Sequence, residues 1–214
     1  MRLIFLGPPA AGKGTQARQL AADHDIPHIS TGDILRAAIR EGTYLGREAK
    51  RYMERGALVP DDVMIGIVRE RLQRSDCSHG FILDGFPRTI PQAEALAGLL
   101  ETMNAPLNYV VNMVVPVKEI LCRMNGRYTC QNCGQMFNLM LDPPKTPDLC
   151  DYCSGILIRR ADDRIDTVHE RLEVYRQSTQ PLIEYYRGKR LLKTVNGTGS
   201  IDEIAKRIIE AVSG

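Results

Sequence analysis

Three features are missing from this sequence of 214 residues: long apolar runs, a large excess of one charge, and internal repeats. No apolar stretch approaches the roughly 20 residues that cross a bilayer, so we expect no membrane partner. The 28 basic and 26 acidic side chains leave a net charge of +2, which is too small to favour nucleic acid as a partner. The four histidines lack the spacing of a nucleophile–base pair, which argues against that class of catalysis.

The beginning of the chain and its cysteines predict the cellular compartment. The sequence starts directly with an apolar run typical of a core strand, which leaves no room for a signal peptide. We therefore expect a cytoplasmic protein. In that compartment the six cysteines are expected to be thiols or metal ligands rather than disulfides.

The glycine-rich stretch from Gly7 to Thr15, with the sequence GPPAAGKGT, is the clearest motif. It lies between an apolar run and a stretch of helical composition, where a tight turn points several backbone N–H groups into one concavity. The positive end of the helix adds to this field, so the turn suits a polyphosphate, and Lys13 can reach the outer phosphates. Gly14 stands where the strict motif has a hydroxyl residue, so direct ligation of Mg²⁺ by a side-chain hydroxyl is not expected. The alternative is a tight turn that carries a lysine by chance.

The pattern of apolar runs predicts the fold class. Helical stretches separate five short apolar runs, which indicates an α/β protein with a five-stranded parallel sheet covered by helices on both faces. We expect a helix capped by Thr31 or Asp33, a long helix over 163–187, and a ligand site at the carboxyl ends of the strands. The predicted strands cover residues 3–6, 26–30, 81–84, 109–115 and 191–195.

Asp84 ends the third predicted strand and is followed by Gly85. A nucleotide-binding sheet places at this point the carboxylate that holds Mg²⁺ or its water molecules. An aspartate in a tight turn before glycine is the alternative. The glycine-rich loop makes the magnesium interpretation the stronger one.

Four cysteines form two CxxC pairs, Cys130 with Cys133 and Cys150 with Cys153. Two such pairs supply four thiolates to one ion, which predicts a structural zinc site because no coordination position stays open. Two disulfides or four free thiols are the alternatives. Zinc ribbons that bind nucleic acid have similar spacing, but Lys145 is the only basic residue between the first and last of these cysteines.

Six arginines lie near predicted element ends, and a guanidinium group binds phosphate oxygens in a bidentate manner. Any one of them taken alone is more often a solvated surface charge. Transfer of a phosphoryl group between two anions needs positioning and charge neutralisation more than a general base. These arginines are Arg36, Arg88, Arg123, Arg127, Arg160 and Arg171.

Taken together, these motifs resemble adenylate kinases of the type with a long, zinc-bearing lid, within the nucleoside monophosphate kinase family. The resemblance covers essentially the whole chain. The segments that carry it are the glycine-rich loop, STGD at 30–33, DGFPRT at 84–89, the four-cysteine insert and RADD at 160–163.

The resemblance implies Mg-dependent, reversible phosphoryl transfer from ATP to AMP, giving two ADP. It implies ATP-binding residues Ala10, Ala11, Gly12, Lys13, Gly14, Thr15, Arg123, Arg127, Met136, Phe137 and Gly199. It implies AMP-binding residues Thr31, Arg36, Ala57, Leu58, Val59, Gly85, Arg88, Gln92, Arg160 and Arg171. The implied catalytic residues are Lys13, Asp84, Arg88, Arg123, Arg160 and Arg171, with Mg²⁺ and a structural Zn²⁺ as cofactors.

The resemblance also implies a division of the chain into three parts. The core is formed by 1–29, 60–125 and 164–214, the AMP-binding flap by 30–59, and the zinc-bearing lid by 126–163. Lid and flap would close over the core and exclude water, which could otherwise accept the phosphoryl group. A monomer is expected, with ATP, AMP and ADP as its partners.

Several positions depart from the family's usual pattern, among them Ala10, Tyr128, the pair Met136 and Phe137, and Gly199. Ala10 stands where glycine is usual, which costs about 1 kcal/mol if the turn requires a positive φ. Tyr128 stands where a second consecutive arginine is common. The alternatives for function are another nucleoside monophosphate kinase, with GTP as donor or a pyrimidine nucleotide as acceptor, a non-catalytic nucleotide switch, and a zinc-ribbon adaptor.

Overall fold

The structure is a computed structural model that describes residues 1–213, with the backbone alone for residues 161, 165 and 166. Strand β1 (Arg2–Leu6) lies at the centre of the main sheet and is buried on both sides. Its side chains alternate between two cores, Ile4 and Leu6 facing one and Leu3 and Phe5 the other.

The main sheet has five parallel strands, as predicted. Their order in space is β2-β3-β1-β4-β8, so β2 and β3 are added on one side of β1 and β4 and β8 on the other, with all strands parallel. Asp84 pairs with Phe5 of β1 and with Ser30 of β2, and it therefore lies beside the loop that follows β1. The other strands of this sheet are β2 (His28–Ser30), β3 (Phe81–Asp84), β4 (Tyr109–Val114) and β8 (Leu192–Asn196).

Nine α-helices are described over residues 1–213. Side chains of α2, α3, α4, α5 and α8 form the core on one face of the sheet, and those of α1, α6, α7 and α9 form the core on the other. Within the described residues no helix is long and apolar enough to cross a membrane. The helices are α1 (Lys13–Asp23), α2 (Thr31–Arg40), α3 (Tyr44–Met53), α4 (Asp61–Leu72), α5 (Ile90–Thr102), α6 (Val117–Asn125), α7 (Ile165–Val174), α8 (Leu182–Gly188) and α9 (Ile201–Ser213).

The cap of α2 differs from the prediction. Ser30 is the capping residue, because its hydroxyl accepts a hydrogen bond from the Asp33 backbone N–H at 3.2 Å. The Thr31 hydroxyl instead donates to the carbonyl of Gly85 at 2.9 Å. The Asp33 carboxylate pairs with Arg36. Both residues are therefore occupied by tertiary and side-chain contacts rather than by the helix end.

The predicted long helix over 163–187 is helical over most of its length, but it is divided into three elements. A one-turn π-helix (Tyr175–Thr179) separates α7 from α8, and the Gln180 N–H donates to the Tyr175 carbonyl at 2.8 Å. Pro181 follows and lacks the N–H that a continuous helix would need. A short 3₁₀ helix (Ala161–Asp163) precedes α7.

The segment predicted as the lid contains a second, antiparallel sheet of three short strands. They are β5 (Arg127–Cys130), β6 (Met136–Asn138) and β7 (Leu157–Ile158), in the order β6-β5-β7. The buried side chains of this part are Cys130, Phe137, Cys150 and Leu157. So small a core offers little hydrophobic stabilisation, which is the situation in which a metal supplies stability.

Candidate active site

The loop after β1 is the predicted phosphate-binding loop, and we call it the phosphate loop. Gly7, Ala10 and Gly12 all have positive φ, at 140°, 59° and 95°. A β-carbon on Gly7 would lie 2.7 Å from the Met113 carbonyl oxygen, so only glycine fits there. Ala10 thus adopts the left-handed conformation, which costs free energy for any residue with a β-carbon.

Lys13, the first residue of α1, lies inside this loop. Its ammonium group donates to the carbonyls of Gly7 at 2.7 Å and Pro8 at 2.8 Å. Burial is the main cause that lowers the pKa of Lys13 to about 8; the charge of Asp84 opposes it, and those of Arg88 and Arg171 act in the same direction as burial. A phosphate group is the kind of partner that would restore the charged form.

Asp84 faces the loop from the end of β3. Burial would raise the pKa of its carboxyl group, but the His28 ring 3.6 Å away and the Lys13 charge hold the pKa below its ordinary value. The carboxylate therefore stays ionised. It offers oxygen atoms beside the phosphate loop, which is the usual contribution of a protein to a magnesium–nucleotide site.

One cavity of about 960 Å³ runs between the phosphate loop, the flap segment, the lid segment and α7. Every predicted nucleotide-binding or catalytic residue lines it except Ala11, which is fully buried behind the loop. The predicted site residues come from both sheets, the flap segment and α7, and they line this one cavity.

Seven arginines line this cavity, and we call five of them the arginine cluster: Arg36, Arg88, Arg127, Arg160 and Arg171. Burial and, to a smaller extent, the charge of the nearby Arg171 lower the pKa of Arg88 to about 10. Burial and the charge of Arg36 lower the pKa of Arg160 to about 9. Such pKa values mean that positive charge is in excess, so a polyanion is the ligand that would stabilise the cluster.

Two carboxylates balance part of this charge. Asp163 is buried and pairs with Arg127, at 2.7 Å from Nε to Oδ2, and with Arg171 at 3.1 Å. Asp162 lies 3.0 Å from Arg171. Burial opposes ionisation of Asp162, but Arg171 and Arg127 lower its pKa overall. These pairs orient two guanidinium groups toward the cavity.

The loop after β3 forms the other end of the cavity. A β-carbon on Gly85 would lie 2.9 Å from the Thr31 hydroxyl and 3.1 Å from Arg88 Nη2, so this glycine is sterically required. The Arg88 Nε–H donates to the Gly85 carbonyl at 2.8 Å. Ala57, Leu58 and Val59 line the same end, which gives it an apolar wall beside buried polar groups.

Other predicted residues lie at the end of the cavity near the phosphate loop. Arg123 is largely buried, and it donates to the carbonyls of Ala11 at 3.0 Å and Gly197 at 2.9 Å. Phe137 packs inside the lid segment and is only 5% exposed, and its predicted contact with the base stays a prediction. Met136 and Gly199 line the cavity.

The four cysteines are brought together outside this cavity. Their sulfur atoms all lie within 4.8 Å of one another, with Cys130–Cys153 at 3.4 Å and Cys133–Cys150 at 3.6 Å. These separations are too long for disulfides and close to the ~3.8 Å expected between thiolates in a tetrahedral zinc site. The cluster could therefore hold a zinc ion.

The two CxxC turns have the same backbone geometry. The N–H of Gly134 donates to the Cys130 carbonyl at 3.0 Å, and the N–H of Ser154 donates to the Cys150 carbonyl at 2.8 Å. Gly134 and Ser154 both have positive φ. Matching turns present the two thiol pairs to a common point.

Three residues that lie in or directly behind this site were not predicted from the sequence. Asp61 accepts hydrogen bonds from Thr89 and Gln92, and its position at the start of an amphipathic helix gave the only hint. Thr179 donates to the Arg88 carbonyl at 3.0 Å, and Tyr175 lines the cavity. Both belong to the π-helix, which has no recognisable sequence signal.

Comparisons with known proteins agree with this geometry. A family model described as adenylate kinase matches residues 5–191. The chain is 54% identical to adenylate kinase of Geotalea daltonii over the full length of both. It is 56% identical to that of Thermodesulfovibrio yellowstonii over 97% of each chain. It is 54% identical to that of Archaeoglobus fulgidus over 97% of this chain and 96% of the other. The chain therefore belongs to the adenylate kinase family.

Proposed function

We infer that this phosphotransferase moves the γ-phosphoryl group of Mg·ATP reversibly to AMP, giving two ADP, as an ATP:AMP phosphotransferase. The observation that carries the proposal is the single cavity in which the phosphate loop, Asp84 and the arginine cluster meet. Each relative described above bears the name adenylate kinase, which favours AMP over a pyrimidine acceptor. Positive side chains line both ends of one cavity, which favours a catalytic site over a nucleotide switch.

The donor nucleotide binds at the phosphate loop in this proposal. Backbone N–H groups from Ala10 to Thr15 and the Lys13 ammonium hold its phosphates. Asp84 would hold the accompanying Mg²⁺ through that ion's water molecules, and the ion supplies charge neutralisation at the phosphates. Arg123, Arg127, Met136, Phe137 and Gly199 border the compartment for its base.

The acceptor nucleotide binds at the opposite end. Thr31, Gly85 and Gln92 provide the polar groups there, and the apolar wall at 57–59 covers the base. Arg36 and Arg88 neutralise its phosphate. Transfer then needs no protein base, because the AMP phosphate is already an anionic nucleophile.

The transferring group passes between these two sites. Arg88, Arg123, Arg160 and Arg171, with Lys13, stabilise the negative charge on the equatorial and bridging oxygens. The excess of buried positive charge in the free protein supports this role, because the cluster is prepared before substrate arrives. Water reorganisation during the reaction is thereby reduced.

Closure of the lid (126–163) and flap (30–59) over the core (1–29, 60–125 and 164–214) belongs to the same proposal. Arg18 of α1 supports it, because its guanidinium donates to Gln135 of the lid at 2.7 Å and lies 4.0 Å from Asp33 of the flap. A β-carbon on Gly56 would lie 3.0 Å from Arg171 Cγ, so flap and α7 also pack closely. Closure excludes water and limits hydrolysis of ATP.

We further propose that Cys130, Cys133, Cys150 and Cys153 hold a structural zinc ion. With four thiolates on the ion, no position stays open for catalysis. The ion would stabilise the lid, whose own core is small. We also propose that the protein is a cytoplasmic monomer.

A panel assay tests the proposed function. Purified protein with Mg²⁺ and ATP is given AMP, CMP, UMP or GMP, and nucleotides are separated by chromatography. AMP should be the best acceptor, with ADP as the only product. A pyrimidine acceptor that outperforms AMP would contradict the assignment, as would binding of both nucleotides without turnover.

A further inference from the structure

Asp61, at the start of α4, lies behind the acceptor end of the cavity and holds two residues at the N-terminal end of α5, Thr89 and Gln92. Its Oδ1 accepts a hydrogen bond from Gln92 Nε2 at 2.7 Å, and its Oδ2 accepts one from the Thr89 hydroxyl at 2.8 Å. Both carboxylate oxygens are therefore engaged. Gln92 is buried, with 2% of its surface exposed, so these contacts decide how its amide lies.

The Gln92 amide is fixed from its other end as well. Its Oε1 accepts a hydrogen bond from the Arg88 backbone N–H at 2.7 Å. Turning the amide over would place Oε1 against the Asp61 carboxylate and the NH₂ group against the Arg88 N–H. Both contacts would then be repulsive, since the first pairs two acceptors and the second two donors. One orientation is thus imposed by two independent contacts.

This fixed amide has one N–H and one oxygen lone pair left. An amide with a donor and an acceptor side by side matches adenine, which presents an amino group next to a ring nitrogen acceptor. Hypoxanthine has a carbonyl oxygen in place of that amino group. With the amide fixed, the Gln92 oxygen would face the carbonyl oxygen of hypoxanthine, and both atoms are acceptors. Only an amide that can turn over would match hypoxanthine.

We propose that Asp61 is a positioning residue that makes the acceptor site selective for adenine by fixing the Gln92 amide in one orientation. The inference rests on the proposed function, since it assumes that the acceptor base lies against Gln92. Asp61 does not line the cavity. It acts through Gln92, and Thr89 holds the carboxylate in place for that contact.

The experiment compares wild type, Asp61→Asn and Asp62→Asn in the chromatographic assay described above, with ATP and either AMP or IMP. An asparagine at 61 offers an amino group as readily as a carbonyl, so one of the two contacts that impose the orientation of Gln92 is lost and the turned amide becomes accessible. We expect KM for AMP to rise about tenfold, because a hydrogen bond to a charged group is lost. We expect kcat for AMP to change much less, and the IMP-to-AMP ratio of kcat/KM to rise about tenfold.

Asp62→Asn is the matched control. Asp62 lies in the same first turn of α4 but is exposed, so both nucleotides should behave as with wild type. An unchanged KM for AMP and an unchanged ratio in Asp61→Asn would overturn the inference. An equal effect of Asp62→Asn would overturn it too, because the cause would then be the charge of the helix end.

A second pair of variants serves if Asp61→Asn fails to fold. Thr89→Val removes the hydroxyl that holds Asp61, and Thr89→Ser keeps it, so only the valine variant should raise the IMP-to-AMP ratio. Equal ratios would contradict the proposal. Calorimetric binding of AMP and IMP accompanies these assays. If wild type failed to phosphorylate AMP, the proposed function would be wrong, while the binding data would still test Asp61.

Discussion

Gly14 packs directly against the Asp84 carboxylate. A β-carbon on Gly14 would lie 3.1 Å from Asp84 Oδ2 and 3.3 Å from the methyl carbon of Met136. The space that a hydroxyl residue fills in the strict phosphate-loop motif is therefore taken here by a carboxylate and a methionine. This explains physically why a glycine follows Lys13, and why Asp84 is the group we assign to the magnesium ion's water shell.

Restoring the hydroxyl should therefore harm activity. We expect Gly14→Ser to displace Asp84, to lower kcat by about tenfold and to raise the Mg²⁺ concentration needed for half-maximal rate. Gly98→Ser is the control, because Gly98 also lies in a helix but has open space around its Cα. Full activity of Gly14→Ser at low Mg²⁺ would contradict this account of the loop.

Ala10 carries conformational strain that glycine would remove. With φ at 59°, Ala10→Gly should raise the free energy of unfolding by about 1 kcal/mol while KM for ATP stays within twofold. The opposite sign is expected for Ala11→Gly, because Ala11 is fully buried and does not have positive φ. Urea denaturation measures both. A destabilised Ala10→Gly variant would show that the alanine methyl contributes more than its strain costs.

Lys13 should make ATP binding depend on pH. Its pKa in the free protein is about 8, below the ordinary value of 10.5, because it is buried. Phosphates favour the charged form, so ATP binding at pH 9 should take up close to one proton, and affinity should fall as pH rises above 8. Calorimetry in two buffers of different ionisation enthalpy counts that proton.

Lys13→Arg provides the control for this measurement. An arginine at this position holds its proton more strongly than a lysine, so the variant should take up clearly less proton than wild type when it binds ATP at pH 9. No uptake by wild type at pH 9 would mean that Lys13 is already charged in the free protein, contrary to the role of burial described here.

The sequence predicted much of the fold because its strands are fully buried and their ends carry recognisable motifs. An apolar run such as Phe81–Leu83 contains no polar residues, so it is not mistaken for a loop. The spatial order of the strands was not predicted, since a parallel sheet leaves no trace of neighbour order in apolar runs. The predicted five parallel strands are confirmed, and the loops after β1 and β3 lie beside the cavity that the predicted site residues line.

The errors arose where tertiary contacts outweigh local signals. Thr31 is a good capping residue by type, but its hydroxyl is engaged with Gly85, and Ser30 caps the helix instead. The helical pattern of the sequence continues through residues 175–179, because a π-helix has the same kind of composition as an α-helix and differs only by one extra residue in its turn. Asp61 was missed because its partners are distant in sequence, at Thr89 and Gln92.

The zinc proposal predicts a separation between stability and chemistry. Cys150→Ser should lower the metal content and reduce the thermal midpoint by roughly 5 °C or more, because the lid core is small. Turnover at low temperature should stay close to that of wild type, since the cluster lies outside the cavity. Cys122→Ser is the control, because that exposed cysteine is not part of the cluster. Metal well below one ion per chain in wild type would refute the four-thiolate site.

Reversal of the reaction tests the central claim most directly. Purified protein is supplied with Mg²⁺ and ADP as the only nucleotide, and the mixture is followed by ³¹P NMR. We predict that ATP and AMP appear in equal amounts until equilibrium, and that chelation of Mg²⁺ stops the reaction. Persistence of ADP, or accumulation of inorganic phosphate in place of ATP, would contradict phosphoryl transfer between two nucleotides in this cavity.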